Sequence, residues 1–144
     1  MPWPVTALFV YGTLQRGQCR ERCWPHAPLA VEPAVARGGL YDLGPYPALV
    51  EGDDLIGGEL WRLAPEHMER TLAVLDEVED AAVGETGLYV RRIIDCRTAA
   101  GQSVAAYAYF YSRPAEIAHH RRIMPGEDGV CRWRARSFRV PQTE

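Results

Sequence analysis

The sequence predicts an α+β domain, a small mixed β-barrel with one or two flanking helices. Two observations carry this prediction: short apolar segments with strand patterning recur along the chain, and one amphipathic helix stands between them. A closed or nearly closed barrel would leave such strands without exposed edges. With 144 residues, nearly half of them apolar, the chain can bury a single core, so we assign 1–144 to one domain.

The strand predictions follow the apolar runs in chain order. Residues 5–11 (VTALFVY) are apolar almost throughout, which is typical of a buried strand, and Gly12 ends the run. Residues 55–63 (LIGGELWRL) have the pattern of a strand with a bulge at the paired glycines. A short extended segment is expected at 47–51, and the remaining strands at 29–43, 88–97 and 103–111.

Two segments have helical character. Residues 66–80 form the stronger candidate, because Pro65 suits a first helical position and apolar residues follow at helical spacing. Residues 114–124 could form a second helix.

One acidic residue of the first helix lies where a core residue is expected. At about 100° per residue, Met68, Leu72 and Leu75 share one narrow apolar stripe, and Glu79 is its next member. A buried carboxylate has its pKa raised towards neutrality, as a general acid/base requires. Two alternatives stay open: the helix ends early and leaves Glu79 solvated, or Glu79 forms a salt bridge to Arg91 or Arg92.

Composition excludes several classes of function. The net charge is −3, and the sixteen basic residues are all Arg and spread along the chain, so nucleic-acid binding is not expected. No apolar run approaches the ~18 residues of a membrane span, and the start lacks the pattern of a signal peptide. We therefore expect a cytoplasmic protein, with no membrane partner, whose four cysteines are free thiols.

The cysteines offer a weaker rival site. Cys19, Cys23 and His26 could form part of a metal site, but their spacing is not that of the usual ligand pair and no second pair is evident. A nucleophilic cysteine assisted by a histidine is a further alternative. We predict neither a metal nor an organic cofactor.

The turn after the first strand is a candidate binding loop. It consists of Tyr11, Gly12, Thr13 and Leu14. Gly12 allows backbone angles that other residues avoid, and such a turn can direct successive N–H groups at a carboxylate or an oxyanion. The alternative is an ordinary turn at the end of a strand.

Five short motifs follow one another along the chain: FVYGTLQRG at 9–17, GPYPA at 44–48, GELW at 58–61, LDEVE at 75–79 and LYVR at 88–91. Together they resemble the gamma-glutamylcyclotransferase-like family, and within it the group of gamma-glutamylamine cyclotransferase and the AIG2-like proteins. The motifs occur in the order of the family, and the match is strongest over 9–111. Each motif is short, and their order and spacing together make the resemblance specific.

The resemblance implies a small barrel enzyme that needs no cofactor and cyclises a gamma-glutamyl group to 5-oxoproline. The last residue of LDEVE, Glu79, would be the catalytic acid/base, and the expected substrate-binding residues are Tyr11, Gly12, Thr13, Leu14, Tyr89 and Arg91. Arg91 could instead brace the barrel.

The substrate would be a gamma-glutamylamine or a small gamma-glutamyl peptide, and the protein a monomer or weak dimer. A non-catalytic module that binds a small carboxylate, and an enzyme that removes a gamma-glutamyl protecting group in a biosynthetic pathway, are the alternatives.

Overall fold

Five strands close into a barrel, as the sequence predicts. The computed structural model describes residues 5–79 and 88–134. Around the barrel the order is β2-β4-β5-β1-β3, and β3 pairs back with β2 to complete the closure. The strands are β1 (Ala7–Val10), β2 (Ala30–Asp42), β3 (Pro47–Arg62), β4 (Tyr89–Thr98) and β5 (Ser103–Tyr111).

Strand direction is mixed. β1 runs parallel to β5, with Leu8 opposite Tyr107, while the other barrel pairs are antiparallel. Two short strands extend the sheet beyond the barrel: β6 (Arg121–Arg122) pairs with β2, and β7 (Val130–Cys131) runs parallel to β3.

The apolar run of the first strand is explained by two cores. Ala7 and Phe9 pack inside the barrel, whereas Leu8 and Val10 pack on its outer face against the helix. Because successive side chains of a strand point to opposite faces, a strand between two cores has no polar alternation.

One α-helix covers the barrel. α1 (Met68–Val78) follows a 3₁₀ turn at Pro65–His67, and Pro65 occupies the first position of that turn as predicted. Met68, Leu72 and Leu75 are all buried, which confirms the apolar stripe. The helix ends two residues before the predicted limit, so that Glu79 is its C-cap; residue 80 lies outside the described residues.

Three details of the prediction are wrong. The segments 47–51 and 55–63 form one continuous strand, β3, because the whole of β2 is available to pair with it. The register shifts instead opposite Gly38 and Gly39 of β2, where residues 51–53 of β3 are the extra ones. Gly57 and Gly58 keep regular register. The predicted second helix is only a 3₁₀ turn at Pro114–Ile117, since Arg121 and Arg122 pair with the end of β2 instead.

The cysteines agree with the expectation from composition. All four cysteines are free, and Cys96 and Cys131 are buried. Within residues 5–79 and 88–134, no helix has the length and apolar composition needed to cross a membrane.

Candidate active site at the end of helix α1

A cavity of about 140 Å³ opens where the end of α1 meets the loop after β1, the start of β3 and the strands β4 and β5. This volume is below the roughly 300–1,000 Å³ of pockets that take drug-sized ligands, so it suits a small group. Six of the seven predicted site residues line it: Tyr11, Gly12, Thr13, Leu14, Glu79 and Tyr89.

Glu79 is held at the cavity by the end of the helix. Its N–H donates to the Leu75 carbonyl at 2.9 Å, which fixes the backbone in the last turn. Only 13% of its side chain is exposed, so the alternative of a solvated Glu79 is wrong. The Oε2 atom accepts a hydrogen bond from Arg20 Nη1 at 3.1 Å, which shows that Glu79 has an ion-pair partner other than Arg91 or Arg92.

Burial and charge act on the Glu79 carboxyl in opposite directions. Desolvation raises its pKa above the ordinary value of glutamate, while the charge and hydrogen bond of Arg20 lower it, and burial is the larger effect. A raised pKa brings a glutamate closer to the range in which a side chain both accepts and returns a proton near neutral pH. The direction of the shift is the one that favours acid/base chemistry.

Two tyrosines of the cavity wall are held by hydrogen bonds to the backbone. Tyr11 donates its phenolic proton to the Tyr109 carbonyl, and Tyr89 donates to the Pro47 carbonyl at 2.9 Å. Burial, reinforced by neighbouring charge that includes Glu79, raises the pKa of both phenols. They therefore stay neutral and fix the wall in which Glu79 lies.

The loop after β1 forms a tight turn, in which Gln15 N–H donates to the Gly12 carbonyl at 3.1 Å. The N–H groups of Gly12, Thr13 and Leu14 donate to no acceptor within the described residues. The loop that carries these N–H groups lines the cavity.

The reason for glycine at position 12 differs from the predicted one. Gly12 is not among the glycines with positive φ. A Cβ at this position would instead lie 2.7 Å from both Cγ and Cδ of Pro47, which leaves no room for a side chain. Glycine allows the loop to pack directly on the start of β3.

Arg91 does not line the cavity. Its Nη1 pairs with Asp76 Oδ2 at 2.5 Å, and its guanidinium lies over the Tyr107 ring, 5.3 Å from the centroid. Arg92 pairs with Glu51 at 2.9 Å. The geometry favours the alternative in which Arg91 braces the barrel against α1.

Arg20, Tyr46, Pro47 and Tyr109 are among the lining residues that the sequence did not identify as site residues. Tyr46 and Pro47 lie in a motif that carried the family resemblance, and that motif could have been used to place them. Tyr109 belongs to the tyrosine-rich face of β5. Arg20 lies in an irregular segment with no local pattern. It could have been found only by searching the sequence for a cation that pairs with a buried Glu79.

The rival metal site has little support. His26 stacks on His67 with ring centroids 3.9 Å apart, and Cys19 is exposed. Over the described part of the chain, no three His, Cys, Asp or Glu residues are grouped so that they could hold a metal ion.

Known proteins resemble the chain in both sequence and fold. A protein of Vibrio cholerae described as a putative gamma-glutamylcyclotransferase is 44% identical over 80 residues, which are 53% of this chain and 64% of that protein, less than two thirds of its length. The gamma-L-glutamyl-butirosin B gamma-glutamyl cyclotransferase of Niallia circulans is 32% identical over 74% of this chain and 67% of its own.

Among solved structures, the AIG2-like protein of Mus musculus shares the fold, with a TM-score of 0.62 and 23% identity over 90% of this chain and 95% of its own. The sequence profile of the family described as gamma-glutamyl cyclotransferase, AIG2-like, matches residues 8–135, and so continues well beyond the motifs. The chain belongs to the gamma-glutamyl cyclotransferase, AIG2-like family.

Proposed function

We propose that this protein is a gamma-glutamyl cyclotransferase that releases 5-oxoproline and a free amine from a gamma-glutamylamine or a small gamma-glutamyl peptide. One observation carries the proposal: a largely buried glutamate with a raised pKa lines the same small cavity as a loop with three N–H groups that find no acceptor among the described residues. The reaction needs a group that transfers protons and a group that stabilises negative charge.

Glu79 is the proposed general acid/base. The substrate α-ammonium first gives a proton to the carboxylate, and the resulting amine attacks the side-chain carbonyl carbon. As the bond from that carbon to the leaving nitrogen breaks, this nitrogen takes up the proton from Glu79. The lactam nitrogen gives up its remaining extra proton to the released amine, which leaves as an ammonium. The nucleophile and the carbonyl belong to one molecule, so the enzyme supplies orientation and proton transfer only.

The loop after β1 is proposed to stabilise the substrate. The N–H groups of Gly12, Thr13 and Leu14 can bind the oxygen that becomes negative during attack, or the glutamyl α-carboxylate. Tyr11 and Tyr89 give this region a rigid wall, since their hydroxyl protons are already engaged. Arg91 is proposed to act indirectly, by holding Asp76 and hence α1.

The size of the cavity supports a glutamyl group as the part that is enclosed. About 140 Å³ leaves the leaving group outside or at the mouth, so that amines of different sizes are compatible with it. The similarity to the butirosin-related relative favours a second candidate, the removal of a gamma-glutamyl protecting group from a larger amine. The cytoplasmic location and the monomeric or weakly dimeric state remain predictions from the sequence.

The test is an assay of 5-oxoproline release from a panel of gamma-glutamylamines and gamma-glutamyl dipeptides. We expect release by the wild type from at least one of them and none above background by Glu79→Gln. Retained binding of 5-oxoproline by this variant in calorimetry would show that the cavity is intact. Release from no substrate by the wild type would favour the non-catalytic carboxylate-binding module.

A further inference from the structure

Arg20 is the only cationic residue of the described chain that lines the cavity. It lies just before the 3₁₀ turn Glu21–Cys23, and its N–H donates to the Thr13 carbonyl at 2.9 Å. The backbone that carries Arg20 is therefore tied to the candidate binding loop. The side chain is 37% exposed, compared with 13% for Glu79, which places Arg20 on the solvent side of the ion pair.

Most of the donors of this guanidinium have no acceptor among the described residues. Only Nη1 makes contacts within the described residues, with Glu79 Oε2 at 3.1 Å and with the Val78 carbonyl at 3.5 Å. The Nε and Nη2 donors find no acceptor there. A guanidinium with free donors suits a carboxylate, which it can bind through two parallel hydrogen bonds.

The chemistry determines what lies beside Arg20 during the reaction. Glu79 must approach the leaving nitrogen within hydrogen-bonding distance to protonate it. If the leaving group is an α-amino acid, its carboxylate is attached to the carbon next to that nitrogen. It then lies within reach of a guanidinium that already contacts Glu79.

We propose that Arg20 binds a carboxylate carried by the leaving group, so that gamma-glutamyl α-amino acids are preferred over gamma-glutamyl derivatives of uncharged amines. The inference rests on the proposed cyclotransferase function and refines its substrate class. The glutamyl α-carboxylate is the other anionic group of such a substrate. It belongs to the enclosed part, where the N–H groups of the Gly12–Leu14 loop are available, whereas Arg20 is on the exposed side.

Binding at Arg20 would also change the state of Glu79. A substrate carboxylate shares the positive charge that otherwise stabilises the Glu79 carboxylate. Arg20 then lowers the pKa of Glu79 less, so that burial raises this pKa further. The proton taken from the α-amine is more readily held in that state, until the leaving nitrogen accepts it.

The experiment compares two substrates that differ in one group. Gamma-glutamyl-L-alanine and gamma-glutamyl-isopropylamide have the same skeleton, with a methyl in place of the carboxylate in the second. We expect the wild type to favour the alanine compound by about tenfold or more in kcat/KM, as befits a charge-assisted bidentate contact. Arg20→Gln should reduce this preference by about tenfold, while Arg20→Lys should restore part of it.

Arg16→Gln is the matched control, because this exposed arginine is on the same segment and does not line the cavity. It should keep the wild-type preference. An equal kcat/KM for the two substrates in the wild type, or an equal loss for both in Arg20→Gln, would overturn the inference while leaving the cyclotransferase function intact. Turnover by the wild type of other panel substrates but of neither compound would overturn the inference alone, whereas release of 5-oxoproline from no substrate of the panel would contradict both.

Discussion

Two carboxylates three residues apart at the end of α1 differ in how many hydrogen bonds they accept. Asp76 uses both oxygens: Oδ1 accepts from the Tyr109 hydroxyl at 2.7 Å and Oδ2 from Arg91 at 2.5 Å. Among the described residues Glu79 has one side-chain partner, Arg20 at Oε2, and its Oε1 accepts no hydrogen bond from them. The less satisfied carboxylate is nevertheless the more buried one, with 13% of its side chain exposed compared with 31%.

This difference distinguishes a carboxylate that holds the structure together from one that can take part in a reaction. Buried polar groups usually find all their partners, so a carboxylate left with a vacant oxygen against a cavity needs a reason. At Asp76 the two contacts join α1 to β4 and β5. At Glu79 the unused oxygen is available to a ligand. The five predictions below test this contrast, from the largest expected effect to the smallest.

Shortening Glu79 should affect activity strongly. In Glu79→Asp the charge is kept, but the carboxylate withdraws by one methylene, and a displacement of about 1 Å can cost on the order of 10²-fold in rate. The measurement is kcat for 5-oxoproline release, with Glu77→Asp, an exposed acid of the same helix, as the control. Wild-type kcat in Glu79→Asp would show that the position of this carboxylate is unimportant.

Adding a methyl group at Gly12 should disturb the cavity at the loop after β1, which lines it together with the end of α1. In Gly12→Ala the new Cβ would meet Pro47 at 2.7 Å, so the loop must shift, and we expect a loss of about 1–3 kcal/mol in the free energy of unfolding. Release of 5-oxoproline should also fall. Gly126→Ala is the control, since the nearest atoms to its Cβ are 3.6 Å away. Equal urea midpoints for both variants would rule out the close contact as the reason for this glycine.

Neutralising Asp76 should change stability more than chemistry. Asp76→Asn weakens the part-buried pair with Arg91 and the bond from Tyr109, and we expect a loss of about 1 kcal/mol in the free energy of unfolding. Its kcat should stay close to that of the wild type. Asp128→Asn, which weakens an exposed pair with Arg132, should change stability by less. A collapse of kcat in Asp76→Asn would make this acid part of the chemistry.

The pH profile should reveal the effect of Arg20 on Glu79. Burial raises the pKa of Glu79 and Arg20 opposes this, so the acid limb of kcat/KM should lie above the ordinary value of about 4.3 and move to higher pH in Arg20→Gln. The direction follows because activity needs the carboxylate, which is lost as pH falls through its pKa. Gamma-glutamyl-isopropylamide is the appropriate substrate, since it carries no carboxylate on its leaving group. An acid limb that stays in place or moves to lower pH would contradict the assigned ion pair.

The same pKa shift has a consequence for stability. A carboxyl whose pKa is higher in the folded than in the unfolded state contributes stability at low pH that is lost as pH rises through the folded value. Relative to the wild type, Glu79→Gln should therefore become more stable as pH rises from about 4 towards 7, as thermal unfolding at several pH values would show. A difference that does not vary with pH would mean that the pKa of Glu79 is unshifted.

The parts of the molecule that depend on local pattern could be predicted from the sequence. The stripe of Met68, Leu72 and Leu75 lies on one helix, and it placed Glu79 on the buried side before any contact was known. The apolar run of β1 likewise identified a buried strand. Both depend on residues within one element, where periodicity is informative.

The parts that depend on distant residues could not be predicted. Arg20 is 59 positions from Glu79 along the chain and lies in an irregular segment, so no spacing links the two. The need for glycine at position 12 arises from Pro47, which approaches only once the barrel has closed. The prediction of a second helix was wrong for a similar reason. The pairing of Arg121 and Arg122 with a distant strand overrides the local preference for a helix.

The most direct test of the account measures 5-oxoproline release by Glu79→Gln and Asp76→Asn side by side at neutral pH, on a substrate that the wild type turns over. Removal of a general acid/base typically costs 10²–10⁴-fold, so we expect about that loss in kcat for Glu79→Gln, and less than about tenfold for Asp76→Asn. Thermal unfolding should show both variants folded. Equal losses in the two variants, or undiminished turnover by Glu79→Gln, would contradict the assignment of Glu79 as the acid/base of this site.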